Sequence, residues 1–222
     1  MNWKQSFSTS IGRKLQMSLT GLFLIIFLVV HCYINAQIFY QDGGKRFDEA
    51  AHFMGTNFVI RTVEIGLFAF LFLHIIQGLA LAFANRSKRS TRYAVSAGNT
   101  TSKWYSRSMA LLGTLILLFL VIHLYKFWGP NRYSQLTGGG ELHLYDMMKE
   151  EFRNTAIVVV YLLGVISLAW HLLHGFYSAF QTLGLGTSRY KYIIKTIGVL
   201  FSILVPLVFA LMPIAFYMQW VN

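Results

Sequence analysis

The sequence predicts an all-α membrane protein, a single bundle of five transmembrane helices over residues 1–222, and three observations predict it. Of its 222 residues 55% are hydrophobic and only 12% are charged, more apolar surface than a soluble domain of that size can hide. The apolar residues gather in five runs, about 18–39, 58–84, 109–127, 156–180 and 193–220, each long enough at ~1.5 Å per residue to cross ~30 Å of hydrocarbon. The formal charge of +11 falls in short clusters between the runs, a pattern of membrane orientation rather than of nucleic-acid binding.

The first run follows Lys4, Arg13 and Lys14 and has no small-residue cleavage site after it, so it reads as a retained span and not a cleaved signal peptide. It contains Cys32, the one cysteine of the chain, which excludes an internal disulfide, a CxxC pair, covalent c-type haem and a thiolate-held iron–sulfur cluster within the chain. The second run is bounded by a mixed loop with Asp42, Lys45, Arg46, Asp48 and Glu49. After it comes a basic loop with Arg86, Lys88, Arg89, Arg92, Lys103 and Arg107. The last residues of the third run and the loop to the fourth carry Lys126, Arg132, Glu141, Asp146, Lys149, Glu150, Glu151 and Arg153. Glycines at 138–140 mark a turn there, and the segment after them is a candidate interfacial helix. The fourth and fifth runs are joined by a turn carrying Arg189 and Lys191. With the basic excess confined to one side, the positive-inside rule puts the N-terminus in the cytoplasm and the C-terminus outside. No polar stretch is long enough for a soluble catalytic domain.

Five of the seven histidines lie inside the runs: His31 in the first, His74 in the second, His123 in the third, and His171 with His174 in the fourth. A histidine in hydrocarbon requires a hydrogen bond, a charge partner or a metal. One such residue is readily explained by bonding to a neighbouring helix; one on each of four helices is not. Measured from the cytoplasmic edge, His31 and His123 lie roughly 20–24 Å deep and His74 and His174 roughly 15–17 Å. Two levels follow, an outer pair His31/His123 and an inner pair His74/His174. Paired imidazoles in an apolar bundle suit two haem b groups, each iron held from both sides and confined to one-electron transfer. Zinc would ask for four ligands at one level. His171, one turn from His174, is the rival fourth ligand; His174 matches the depth of His74 and has Gly175 beside it to admit a flat macrocycle.

At these residues the sequence resembles the single-chain, two-haem cytochrome b subunits that anchor succinate dehydrogenases and fumarate reductases. The resemblance is carried by Ser18-Leu19-Thr20-Gly21-Leu22-Phe23-Leu24 before His31 and by His74-Ile75-Ile76-Gln77-Gly78 before Asn85-Arg86. It continues through Trp104-Tyr105-Ser106-Arg107-Ser108-Met109 before His123, and through the run from His174-Gly175 to Leu183-Gly184. It implies one haem-ligating histidine on each of the first four helices, matching His31, His74, His123 and His174. It also implies a bacterial cytoplasmic (inner) membrane location, a flavoprotein partner with FAD that interconverts succinate and fumarate, and an iron–sulfur partner on the cytoplasmic face. The redox substrate it implies is a membrane quinone, with menaquinone the expected type. Some relatives that oxidise menaquinol carry an acid two residues before the fourth ligand; here that position is Leu172, which argues against a proton route of that kind.

Glu64 is the one carboxylate within an apolar run, near the outer level. It is the candidate for quinone proton exchange, since a quinone moves protons with its electrons; an ion pair with Arg61 is the competing explanation, and the two are compatible. His52, Glu49, His143 and Asp146 are outer-loop alternatives. Ser18 and Arg107, with Trp104 and Lys191, are candidates for haem propionates at the cytoplasmic ends, and Arg61 and Arg153 at the outer ends; for the charged residues an interfacial-anchor role competes. Two rival functions are a cytochrome b subunit of a hydrogenase or formate dehydrogenase, and a haem-free transporter.

Overall fold

The computed structural model describes residues 9–87, 104–140, 142–187 and 189–221, without the side chains of 10 and 85–87. Most of the basic loop, including Lys88, Arg89, Arg92 and Lys103, falls outside the described residues, as do Lys4 and Glu141. Among the described residues every regular element is helical.

Helix α1 (Ser10–Asn35) starts where the Thr9 hydroxyl accepts from the Gly12 amide at 3.1 Å, and ends in a 3-10 turn, Ala36–Phe39. Helix α2 (Lys45–Thr56) is a short amphipathic segment that packs Phe47 into the core cluster at one end of the bundle. Its N-cap, Gly44, has φ +83° and lies under the Tyr145 ring, so a side chain there would meet both the left-handed backbone and the aromatic face. Helix α3 (Phe58–Ser87) follows after Asn57, whose side-chain oxygen accepts from the amides of Val59 and Ile60.

One turn, α4 (Trp104–Arg107), leads into α5 (Met109–His123). The third apolar run does not stop at its last apolar residue: five residues of π-helix, Leu124–Trp128, carry the path into α6 (Gly129–Leu136). Pro130 is tolerated in the first turn of α6, where its missing N–H costs little. The glycine turn precedes α7 (Leu144–Glu151). Helix α8 (Thr155–Thr182) is capped by Asn154, and α9 (Lys191–Tyr217) contains the buried prolines Pro206 and Pro213.

Among the described residues, five segments are long and apolar enough to cross a membrane: Ile11–Phe39, Phe58–Ala84, Met109–Leu136, Thr155–Thr182 and Lys191–Tyr217. Helix α1 packs on α3 and α8, and α5 packs on the same two, so the four close a ring with α1 opposite α5 and α3 opposite α8. Helix α9 stands outside that ring against α8 and α1. The densest packing lies at one end, where Ile38, Phe47, Tyr145, Met148, Phe152 and Phe216 bring α2, α7 and the C-terminal residues over the bundle. This is the capped end; the end bearing α4 and the N-terminus of α1 is the open end. Along the ring the outward faces of α1, α3 and α5 expose Ile26, Val29, Phe72, Ile76, Leu111 and Leu118, as spans surrounded by lipid would.

Candidate functional site: histidine pairs across the bundle

The ring has two diagonals, and each carries a pair of histidines. Across one, toward the capped end, the rings of His31 on α1 and His123 on α5 lie with centres 5.9 Å apart and planes nearly perpendicular. They sit among aromatics. Phe27 stacks on His31 at 5.1 Å and Phe209 of α9 approaches at 5.7 Å, while Phe119, Phe127 and Tyr161 surround His123. Asn35 donates to the His31 carbonyl at 2.8 Å and stands 3.4 Å from its Nδ1. Tyr161 on α8 brings its hydroxyl to 3.3 Å from Nδ1 of His123.

Across the other diagonal, nearer the open end, His74 on α3 meets α8. The ring it faces is that of His171, centres 6.2 Å apart. His174 lies one turn further along α8, beside Gly175, where an added Cβ would have nothing within 4 Å. The Thr20 hydroxyl of α1 is 3.2 Å from Nδ1 of His74, whereas Nδ1 of His171 is buried with no hydrogen-bond partner. His31 and His123, paired by depth, face each other across one diagonal; across the other, His74 faces His171, where depth pairs it with His174. Among the described residues no three His, Cys, Asp or Glu side chains converge on a point, as a tetrahedral zinc site would need.

Glu64 lies on α3 toward the capped end with both carboxylate oxygens engaged. Oε2 pairs with Arg61 Nη1 at 2.6 Å, and Oε1 accepts from the Trp128 indole N–H at 2.6 Å. The Arg61 pair is the one its spacing suggests. Trp128 went unread in the sequence because it is the π-turn after His123 that swings this residue onto α3, where it also packs on Phe68 at 4.8 Å. Arg61 Nη2 is buried without a partner. In the same π-turn Lys126 pairs with Glu151 at 2.9 Å.

The remaining candidates separate. Ser18 is buried and its hydroxyl donates to the Lys14 carbonyl at 3.0 Å. Beside it, across α1 and α3, Gln77 donates to Gln16 at 2.6 Å. Arg107 is exposed at the end of α4, Trp104 packs edge-on against Trp170 at 4.9 Å, Lys191 is exposed, and Arg153 pairs with Glu150 on the surface. At the capped end Glu49, His52 and His143 line a cleft of about 500 Å³ together with Lys45, Asp48 and Asn131, His143 standing 3.4 Å from Asp48; Asp146 is exposed nearby. Burial first, and then Asp42, Asp146 and Asp48, push the Tyr145 phenol above its ordinary value, so it remains protonated under this cap.

No family model matches the chain, and no solved structure matches it. A curated relative does: the succinate dehydrogenase cytochrome b558 subunit of Bacillus subtilis (strain 168), 28% identical over 170 residues that make up 76% of this chain and 77% of that protein. That likeness, on a chain of five membrane-length helices, supports a succinate dehydrogenase cytochrome b membrane subunit.

Proposed function

We propose that the chain is the electron-carrying membrane anchor of a succinate:quinone oxidoreductase, binding two haem b groups and serving a membrane quinone, with menaquinone the expected type. The observation that supports this best is the pairing of histidines across both diagonals of the helix ring. Two imidazoles bound to one metal at roughly 2 Å each would hold their ring centres about 6 Å apart; His31 and His123 stand at 5.9 Å, and on the other diagonal His74 stands 6.2 Å from His171, the rival of His174. The donor set fits haem chemistry: imidazoles from opposite helices, aromatic side chains around them, and, among the described residues, no convergence of three such ligands. Bound there, each haem would supply reversible one-electron storage within the membrane.

His31 and His123 would hold the haem at the capped end, and His74 with His174 the other. The family resemblance favours His174, as does the open space over Gly175; the ring contact favours His171. Ser18 and Arg107 would serve propionates at the open end. Phe27 stacks on His31, and Phe119 and Phe127 lie against His123, giving the capped-end pair an aromatic wall. Glu64, held by Arg61 and Trp128 toward the capped end, would exchange protons with quinone. In this reading the open end faces the cytoplasm, the N-terminus is cytoplasmic, and an iron–sulfur subunit with its FAD-bearing flavoprotein docks there; the succinate site belongs to that flavoprotein.

The test is the intact complex with single histidine substitutions. His31→Ala, His123→Ala and His74→Ala should each leave one haem per chain, with succinate–quinone activity lost. His174→Ala should do the same and His171→Ala should not; the reverse result would move the fourth ligand one turn. Two haems with unchanged spectra in all of these variants would refute the proposal.

A further inference from the structure

The geometry points to Thr20 and Tyr161 as positioning residues that each fix one haem-binding histidine by its Nδ1, so that Nε2 is turned to the centre of the ring. This rests on the reading of His74 and His123 as ligands and goes beyond it, since neither hydroxyl is itself a ligand.

At His74 the direction of the hydrogen bond can be worked out. The Thr20 hydroxyl has its own proton committed to α1 carbonyls, Gln16 at 2.8 Å and Met17 at 3.2 Å. With its proton on one of these carbonyls, the Thr20 oxygen accepts from Nδ1–H of His74, which leaves Nε2 with its lone pair; the Met17 backbone carbonyl is a second acceptor for the same ring. At His123 the Tyr161 oxygen is the polar atom within reach of Nδ1, at 3.3 Å, and it accepts in the same way when Nε2 is engaged by a metal. In both cases the hydroxyl comes from a different helix than the histidine: α1 to α3 at one level, α8 to α5 at the other. Each bond therefore sets the angle of an imidazole about its own helix, which apolar packing alone leaves loose.

Burial gives these bonds weight. Thr20 is 4% exposed and Tyr161 6% exposed, and Tyr161 is enclosed by Phe119, Phe127 and Phe152, so water has no ready access to replace a lost partner. A hydrogen bond accepted from Nδ1–H makes the imidazole a stronger donor to the metal and favours the more highly charged ferric state. Removing it should raise the reduction potential of that haem alone.

The experiment is a redox titration of the intact membrane complex, followed optically and by low-temperature EPR, for Thr20→Val and Tyr161→Phe. Both keep shape and delete the hydroxyl oxygen. Losing such an outer partner typically weakens metal binding about tenfold or more. If that loss falls on the ferric form, a tenfold change is about 59 mV for a one-electron couple. Thr20→Val should raise the potential of the haem at His74 and leave the other unchanged; Tyr161→Phe should do the converse, with two haems per chain in each. Unmoved potentials, or equal shifts of both haems in either variant, would overturn the assignment. Where Thr20→Val or Tyr161→Phe loses its haem, retention by Thr20→Ser or Tyr161→Gln, which keep an oxygen acceptor, upholds it, and loss there too reduces the residue to packing. His74→Ala and His123→Ala separate the two ideas. Two haems in those variants would defeat the ligand reading itself, whereas one haem there with unmoved potentials in the hydroxyl variants would defeat this inference alone.

Discussion

Gly164→Ala should loosen the capped-end histidine pair through a ring that touches it. Gly164 is buried on α8 against α5, and an added Cβ would stand 2.5 Å from Cγ and 2.6 Å from Cδ2 of Phe119. Carbon atoms rest at ~3.5 Å or more, so the ring or the helix must give way by roughly 1 Å. Phe119 has little room to retreat: it stacks on His123 at 5.7 Å and meets Tyr161 edge-on at 5.0 Å. Alanine is intrinsically better than glycine within a helix by about 1 kcal/mol, and overpacking a filled site costs about 1–3 kcal/mol. The clash wins if it reaches the upper part of that range, and the boxed ring says that it does, for a net loss of about 1–2 kcal/mol. For a chain of this size that lowers a thermal midpoint by roughly 2–8 °C. The assay is thermal unfolding of the purified complex followed by the absorption of the proposed haems, with their spectra recorded beforehand. Gly66→Ala is the control, since an added Cβ there meets nothing within 4 Å, and it should be neutral or slightly stabilising. A midpoint for Gly164→Ala at or above that of Gly66→Ala, with the capped-end haem unperturbed, would show that α5 and α8 are not packed as described.

Two further outcomes are expected. On the proposed function, Glu64→Gln should keep the two proposed haems and succinate oxidation by a dye that bypasses quinone while slowing quinone turnover by roughly 10²–10⁴-fold. A normal quinone rate per intact complex with lowered yield would make the Arg61–Glu64–Trp128 cluster structural and turn attention to His52, Glu49 and His143. A cysteine placed at Ser90 in the basic loop should react with a membrane-impermeant reagent only after cells are opened, and reaction in intact cells would invert the sidedness.

Much of the architecture is legible because a bilayer imposes a length on every apolar run. The five spans and the presence of histidines on four of them follow from the linear sequence. So does the pairing of Arg61 with Glu64, because residues three apart share a helix face. Helix α2 was not visible as an element, since its twelve mixed residues lack a spanning run and take their shape from packing Phe47 into the cap. What the chain by itself does not determine is rotation. A span that is apolar on all sides gives no periodic signal of which face turns inward, so depth could order the histidines but not aim them. Only the tertiary structure set α1 opposite α5 and α3 opposite α8, brought His171 rather than His174 into contact with His74, and placed Tyr161 on His123. The Trp128–Glu64 contact belongs to the same class, because a π-turn changes the angular register of every residue after it. Composition and spacing determine that these helices are long and apolar enough to cross a membrane and that four of them carry histidines. The close approach of small residues such as Gly164, and hydroxyls reaching between helices, settle which side chains meet there.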